Sequence, residues 1–323
     1  MKLEIERPEV IETFFMTDNT ILESEEISLP QEEGSVFREA PPKWLSETLR
    51  PSESIHNSTG IQIINTRLWL ADLNERSEYK NKGRITIDNV PKAEWKRLFD
   101  KYDIFYFMGI YEPSEASREY CLKHIESFQH ALPKENPEQF LGPSPFANAD
   151  YELNPQIAPG ATSEERWQKF EKMADYLHSH GKKIIVDFIG NHFGLDNRWL
   201  EDRDEQGNLV GPDYFVHGGD YQYVEPETGK VHWLSHGSDP YFGPWHDTLL
   251  LNYGNPKVHK KMEGVLQRLV DHHIDGVRCD MAHLQLRRRF KEMHDNKLSD
   301  EQKAFIDQGG LWERRDTDGN TII

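Results

Sequence analysis

The feature that most constrains this chain is the alternation of short apolar runs with amphipathic helical patterns, which begins near residue 64. Four apolar runs have the length and composition of buried strands: Arg67 to Asp72, Ile104 to Ile110, Lys183 to Ile189 and Ile274 to Cys279. Strands that alternate with helices predict an α/β fold built on a parallel sheet. We therefore expect most of the chain to form one α/β unit.

The helices between these runs have recognisable ends. Pro91 suits the first turn of one helix. Thr162 and Glu165 fit a capping box at the start of a second helix, and Gly181 suits the position just after its end. Asn255-Pro256 begins a third helix. The residues predicted to face the core are Trp95, Leu98 and Phe99 in the first helix, Trp167, Phe170, Met173, Ala174 and Leu177 in the second, and Val258, Met262, Val265, Leu266 and Leu269 in the third.

Polar residues follow two of the apolar runs at the point where each run ends. The third run leads through Asp187 to Asn191 and His192, and the fourth leads to Arg278 and Asp280. The carboxyl ends of parallel barrel strands open into one mouth, so these side chains are expected to meet there. Asp280 lies two residues after Arg278 on the same side of a strand, where a guanidinium keeps a carboxylate ionised. An ionised, oriented carboxylate is what the nucleophile of a glycosidase requires.

Two sequence strings at these run ends carry a family resemblance. The string D-x-x-x-N-H at 187–192 and the string G-x-R-x-D-x-A at 276–282 occur in that order, with a long segment between them. They resemble the first and second conserved regions of the α-amylase family of glycoside hydrolases, family 13. A further match is G-x-x-x-F-x-x-x-D-Y at 142–151, and residues 245–256 resemble the end of the inserted domain B of that family. The resemblance covers about residues 64 to 323.

The resemblance implies an α/β fold of the (β/α)8 TIM-barrel type, with an irregular domain-B-like insertion after the third strand at about 193–254. We expect residues 1–60 to be an N-terminal extension and 61–323 to be a partial catalytic barrel. Since a βαβ unit takes about 30 residues or more, residues 280–323 are too few for four further units. The barrel is therefore predicted to be incomplete, with about the first four to five strands present and Thr321 to Ile323 opening the fifth.

The same resemblance assigns catalytic roles. Asp280 would be the nucleophile that forms a covalent glycosyl intermediate, and Arg278 would hold and ionise it. The acid/base glutamate of the family follows its fifth strand, so this chain is predicted to be a truncated form that lacks it. Glu313 does not follow a predicted strand, and its arginine neighbours suit a solvated helix face, so we do not assign it as the acid.

Four positions are implied to bind substrate. His192 would hydrogen-bond the sugar at the cleavage site, and Asp150 would line the same subsite. Phe146 stands where the family usually has a tyrosine that stacks on the sugar, and phenylalanine keeps the aromatic face without the hydroxyl. His283 and Leu284 stand where the family often has Lys-His, so the contacts on the acceptor side differ.

The implied metal is calcium, with Asn191 as a ligand and Asp247 as a weaker candidate. Four histidines, at 217, 232, 236 and 246, suggest zinc by residue type alone. They lack paired H-x-x-x-H or C-x-x-C spacing, so we interpret them as loop histidines.

Charge and composition restrict the partners. A formal net charge of −18 argues against nucleic acid, which requires a basic surface, and is compatible with a neutral α-glucan or oligosaccharide substrate. The sequence contains no run of about 18 apolar residues, so we predict no membrane span. The acidic N-terminus lacks the apolar core of a secretory signal, and two cysteines do not suggest a disulfide framework, so we expect a cytoplasmic protein.

These observations leave three functional hypotheses. The first is a retaining glycoside hydrolase or transglycosylase of the α-amylase type, acting on α-glucosidic bonds of α-glucans or maltodextrins. The second is a non-catalytic amylase-like fragment or carbohydrate-binding module. The third is an unrelated barrel enzyme such as a metal-dependent hydrolase, which requires several metal ligands on strand ends.

Overall fold

The computed structural model of the chain describes residues 60–81, 83–130, 132–139, 141–239, 241, 243–308, 314–315 and 321–322. The predicted N-terminal extension lies outside these ranges except for residue 60, and its boundary stays a prediction. Glu313 also lies outside the described residues.

The described residues contain short strands throughout and helices mainly after the strands of the central sheet. The strands are β1 (Ile61–Asn65), β2 (Ile104–Met108), β3 (Tyr111–Pro113), β4 (Asn148–Leu153), β5 (Lys183–Phe188), β6 (His192–Gly194), β7 (His217–Val224), β8 (Val231–Leu234), β9 (Gly237–Asp239), β10 (Gly243–Trp245), β11 (Thr248–Leu250), β12 (Gly276–Cys279), β13 (Arg314–Arg315) and β14 (Thr321–Ile322). The α-helices are α1 (Thr66–Glu75), α2 (Lys92–Phe99), α3 (Glu115–Lys123), α4 (Ser163–His178), α5 (Pro256–Asp271), α6 (Ala282–Gln285), α7 (Arg287–His294) and α8 (Asp300–Asp307).

A four-stranded parallel sheet organises these elements. Its strands lie side by side in chain order, β1-β2-β5-β12, and every neighbouring pair is parallel. This order is that of successive strands in a (β/α) barrel, whereas a doubly wound sheet reverses direction at its centre. Within the described ranges the sheet stays open, with β1 and β12 at its edges. The parallel α/β arrangement is therefore confirmed, but no closed barrel is formed by these residues.

The predicted first strand is wrong. Arg67–Asp72 lies inside α1, and the strand β1 comes directly before it. The side chain of Asn65 accepts a hydrogen bond from the backbone N–H of Leu68 and so begins the helix. Leu70 and Leu73, three residues apart, both face the core, which is helical spacing. A short apolar run does not distinguish a strand from a buried helical segment, which explains the error.

The other three predicted strands are confirmed as β2, β5 and β12, and the predicted helix ends are mostly confirmed. Thr162 and Glu165 form the capping box of α4, whose five buried residues are those predicted. Gly181 has a φ of 69°, the left-handed conformation expected just after a helix. Asn255 caps α5, while Pro91 is the capping residue of α2 and lies just before its first turn. None of the described helices reaches the length and apolar character that crossing a bilayer requires.

Aromatic side chains join the helices to the sheet. Trp95, which is 2% exposed, lies 5.1 Å from Trp69, 5.8 Å from Phe105 and 6.3 Å from Phe107, measured between ring centroids. Phe107 in turn lies 6.3 Å from Phe170 of α4. These contacts bind α1, α2 and α4 to β2, and each fully buried large apolar side chain contributes about 1.5–3 kcal/mol. The central strands are thereby fixed, and with them the residues at their carboxyl ends.

The long segment between β5 and α5 is antiparallel. At its base β6 pairs with β11, where His192 lies opposite Leu250 and Gly194 lies opposite Thr248. Farther along, β7 pairs with β8 and β9 pairs with β10. The segment therefore leaves the sheet and returns to it through one short ladder.

The predicted opening of a fifth barrel strand does not join the parallel sheet. Thr321–Ile322 pairs antiparallel with Arg314–Arg315 in a separate two-stranded ladder. The predicted helix face at the two arginines is likewise wrong, because they form β13. Thr, Ile and Arg are compatible with strands of either direction, so sequence pattern alone did not decide the pairing.

Replacing Thr162 with Ala is expected to destabilise the chain by about 1 kcal/mol, because the N–H of Glu165 loses its acceptor at the start of α4. Urea denaturation monitored by circular dichroism measures this free energy of unfolding. Gln168→Ala, on the exposed face of the same helix, serves as the control and should cost only a few tenths of a kcal/mol. Equal losses in both variants would contradict the assignment.

Candidate active site

A buried carboxylate lies near the end of β5. Asp187 is 0% exposed and accepts hydrogen bonds from the Tyr106 hydroxyl and, at 3.2 Å, from the backbone N–H of Gly109. The guanidinium of Arg278 lies 3.7 Å from the same carboxylate. Burial raises the pKa of Asp187 from 3.8 to about 6, and the two hydrogen bonds and Arg278 oppose that rise. Asp187 thus joins β2, β5 and β12 at their carboxyl ends.

Arg278 joins this buried acid to a second one. The parallel register of β5 and β12 places Arg278 opposite Asp187. Its Nη1 donates to Asp280 Oδ1 at 2.5 Å, and its guanidinium lies 4.8 Å from the centroid of the Phe146 ring. The Asp280 side chain is 8% exposed and that of Arg278 is 40% exposed. Such a charge-assisted contact fixes the direction of the Asp280 carboxylate.

The backbone around Asp280 is fixed by two hydrogen bonds. Its N–H donates to the carbonyl of Phe188 at 2.9 Å, and its carbonyl accepts from Gln285 Nε2 at 3.0 Å. Gln285 approaches Gly190 so closely that a Cβ there would lie 2.4 Å from its Oε1, so a side chain at this position would displace the Gln285 amide. The next residue, Met281, has a φ of 49°, a left-handed conformation rare for a residue with a side chain. The chain thus turns sharply just after the carboxylate.

His192 lies beside this pair on the strand that begins the inserted segment. It is 4% exposed, its ring hydrogen-bonds the backbone of Phe146, and its centroid is 4.9 Å from that of Trp245 at an interplanar angle of 60°. Burial lowers the pKa of His192, while the negative charge of Asp280 acts in the opposite direction. The lowered pKa favours a neutral imidazole, which is suited to hydrogen bonding.

The structure brings four of the predicted site residues together, and they are Phe146, His192, Arg278 and Asp280. Asp150 has other partners than these four residues. Its carboxylate accepts a hydrogen bond from the Tyr151 N–H at 2.7 Å and lies 3.9 Å from the Arg198 guanidinium. Burial raises the pKa of Asp150. His283 is exposed on α6, three residues after Asp280.

The two predicted calcium ligands have other partners. Asp247 accepts a hydrogen bond from the Ser117 hydroxyl at 2.6 Å, and the Asn191 amide nitrogen lies 3.4 Å from His192 Nδ1. Calcium takes about six to eight oxygen ligands. Within the described part of the chain these two side chains alone do not form such an oxygen cage, so calcium stays a prediction from the resemblance.

Comparison with known proteins shows what the region that carries this site is similar to. Residues 165–313 match the family model described as the α-amylase catalytic domain. This part of the chain is therefore similar to the α-amylase catalytic domain. The match includes the strands β5 and β12 and the whole inserted segment.

Curated relatives match parts of the same chain. The probable oligo-1,6-glucosidase 2 of Bacillus subtilis (strain 168) is 23% identical over 157 residues, which are 43% of this chain and 27% of the relative. The 4-alpha-glucanotransferase of Thermotoga maritima is 29% identical over 122 residues, which are 36% of this chain and 27% of the relative. The matched segment thus spans about a quarter of each relative.

Among solved structures, the α-amylase from Lactobacillus plantarum is similar at a TM-score of 0.43 and 19% identity, covering 74% of this chain and 43% of that one.

Two contributors to the site were not assigned a role from sequence. Tyr106 in β2 binds Asp187, and Trp245 in β10 packs against His192. Tyr106 belongs to an apolar run, where a tyrosine is usually a core residue, and Trp245 lies far from His192 in the chain. Only the register of the sheet and the pairing of the inserted strands bring them to the site.

Replacing Asp187 with Asn is expected to change how stability depends on pH. Because the folded pKa is raised, the folded state holds this proton more tightly than the unfolded chain, and stability falls as pH rises from 3.8 to about 6. The neutral Asn side chain does not titrate, so the variant does not show this loss of stability over this pH range. The stability of the variant relative to the native chain should therefore increase by up to about 3 kcal/mol between pH 4 and pH 7.

Urea denaturation at a series of pH values measures that difference. Asp100→Asn, at the exposed end of α2, controls for the removal of an acidic group. Parallel pH profiles for the native chain and Asp187→Asn would contradict the raised pKa.

Proposed function

We propose that this chain carries the nucleophile side of a retaining glycoside hydrolase or transglycosylase of the α-amylase type, acting on α-glucosidic bonds of α-glucans or maltodextrins. The observation that carries the proposal is the Arg278–Asp280 contact of 2.5 Å at the end of β12, beside the buried His192. The names of the glucosidase and glucanotransferase relatives support this substrate class.

Asp280 acts as the nucleophile. In a retaining mechanism one carboxylate attacks the anomeric carbon while an acid protonates the leaving oxygen, and water or a second sugar then releases the glycosyl group. Arg278 orients Asp280, since its guanidinium lies at hydrogen-bonding distance from that carboxylate. The Asp187 carboxylate lies 3.7 Å from the Arg278 guanidinium. Asp187 therefore acts on the reaction by positioning Arg278.

The neighbouring residues hold the sugar. His192 donates a hydrogen bond to a sugar hydroxyl, for which a neutral, buried imidazole is suited. The Arg278 guanidinium lies 4.8 Å from the centroid of the Phe146 ring, and we assign this aromatic ring to the sugar-binding subsite. Asp150 and His283 contribute contacts farther from the cleaved bond. No step uses a calcium ion, although Asn191 and Asp247 are its proposed ligands.

The fold supplies the frame for this chemistry. We interpret β1, β2, β5 and β12 as the first four strands of an incomplete (β/α)8 barrel, residues 61–323 as its partial catalytic region, and 193–254 as its domain B. The acid/base glutamate is assigned to none of the described residues. The free Cys121 and Cys279 support a cytoplasmic location, and the net charge of −18 supports a neutral glycan over a nucleic acid as the partner.

Covalent trapping tests the nucleophile without requiring the acid. Fluoride needs no protonation to leave, so a 5-fluoro-α-glucosyl fluoride should label the native chain with one glycosyl group on Asp280, detected by intact-mass and peptide mass spectrometry. Asp280→Asn should remain unlabelled, and Asp100→Asn should be labelled like the native chain. The reason is that Arg278 orients Asp280 at the end of β12, whereas Asp187 is fully buried and Asp100 lies at the end of α2.

An unlabelled native chain, or labelling that persists in Asp280→Asn, would overturn the assignment of Asp280. In the first case, maltoheptaose binding measured by calorimetry would support the alternative of a non-catalytic carbohydrate-binding module.

A further inference from the structure

Three side chains with metal-binding atoms converge on the inserted segment. Asp220 lies in β7, His236 lies between β8 and β9, and His246 lies between β10 and β11. One ligand atom from each falls within 4.8 Å of the others. We propose that these three residues bind a divalent transition-metal ion, and that Zn²⁺ is the ion their chemistry favours.

The backbone explains why the two histidines meet. In the antiparallel pair β9–β10, Gly237 lies opposite Trp245. His236 and His246 occupy the next cross-strand position, where facing Cβ atoms lie about 4.5–5.5 Å apart. Their ring centroids are 4.9 Å apart at an interplanar angle of 72°. Two residues ten positions apart are thus fixed side by side by the strand register.

The hydrogen bonding of His236 leaves its other nitrogen free for a metal. Its Nδ1 lies 2.8 Å from the carbonyl oxygen of Thr248, which only accepts, so Nδ1 carries the proton. The lone pair is then on Nε2, which faces Asp220 Oδ1 at 3.6 Å. Histidines that bind metals usually donate their second ring N–H to a backbone carbonyl in this way.

The spacing of these atoms suits tetrahedral zinc. With ligand distances of about 2.0–2.1 Å, two ligand atoms of a tetrahedral zinc ion lie about 3.3 Å apart. The 3.6 Å between His236 Nε2 and Asp220 Oδ1 is close to that edge. The Asp220 side chain is 75% exposed and His246 is also exposed. Rotation of these two side chains can therefore bring their ligand atoms to the separation that a tetrahedral zinc ion requires.

The ligand set selects the class of ion. Two imidazoles and one carboxylate suit Zn²⁺ and its neighbours Co²⁺ and Ni²⁺, while calcium and magnesium prefer oxygen ligands. Three protein ligands leave a fourth position for water. Without a metal, a solvated ion pair explains the proximity of Asp220 and His236 and strand register explains that of His246. Metal titration distinguishes that arrangement from a metal site.

The site has a consequence for the candidate active site. Trp245, next to His246, packs against the ring of His192. Gly237, next to His236, lies so close to His192 that an added Cβ would be 3.0 Å from that of His192. A metal joining His236 to His246 therefore clamps the end of β9–β10 that supports His192. The binding proposal itself does not depend on the proposed enzymatic function.

Metal titration of the full chain, without an affinity tag, tests the site. After removal of metals with EDTA, calorimetry with Zn²⁺ should give one ion per native chain, and Co²⁺ should give the visible spectrum of a tetrahedral complex. His246→Gln and Asp220→Asn should each weaken Zn²⁺ binding by at least about 100-fold, since even residues that only support metal ligands typically account for 10- to 100-fold. His217→Gln is the matched control, a histidine of β7 outside the cluster whose side chain is 42% exposed.

Thermal unfolding provides a second measurement. Zn²⁺ should raise the melting temperature of the native chain and of His217→Gln, because a ligand that binds only the folded state stabilises it. It should leave His246→Gln unshifted, and matching circular dichroism spectra confirm that this variant is folded. Equal Zn²⁺ affinity in the native chain and His246→Gln would overturn the proposal, as would an equal loss of affinity in His217→Gln.

Discussion

The burial of one carboxylate constrains the arrangement of the strand ends. Asp187 has no access to solvent, and an ionised group in that position is costly unless it is hydrogen-bonded and paired. Its partners come from the strands on either side: Tyr106 and Gly109 at the end of β2, and Arg278 in β12. A slip of one residue between β5 and β12 would turn Arg278 away and leave the charge unpaired. The register of the sheet and the position of Asp280 are therefore linked.

Local signals made much of the fold predictable. The capping box at Thr162 and the cap at Asn255 involve residues within a few positions of each other, and both helices begin where expected. The strands β2, β5 and β12 are also found within the predicted runs. The error at Arg67–Asp72 also comes from reliance on local sequence. A six-residue apolar run carries too little periodicity to distinguish α1 from a strand.

The candidate site was predictable only in part. Arg278 and Asp280 are two residues apart on one strand, so their contact follows from the geometry of a strand. The packing of Trp245 on His192 joins residues more than fifty positions apart and depends on how β6, β9, β10 and β11 pair. Similarly, His236 and His246 have no recognised metal-binding spacing in the sequence. Their proximity comes from strand register, which sequence pattern does not specify in a long, irregular segment.

The ladder between β6 and β11 is where the inserted segment leaves the central sheet and returns to it. Because residues 226–230 at the tip of the β7–β8 hairpin are exposed, that tip can change in length or composition without moving the central sheet. His192, however, stands inside the pairing of β6 with β11, directly opposite Leu250. The tip of the β7–β8 hairpin is therefore expected to tolerate changes of length, while an insertion or deletion in β6 or β11 would displace the imidazole.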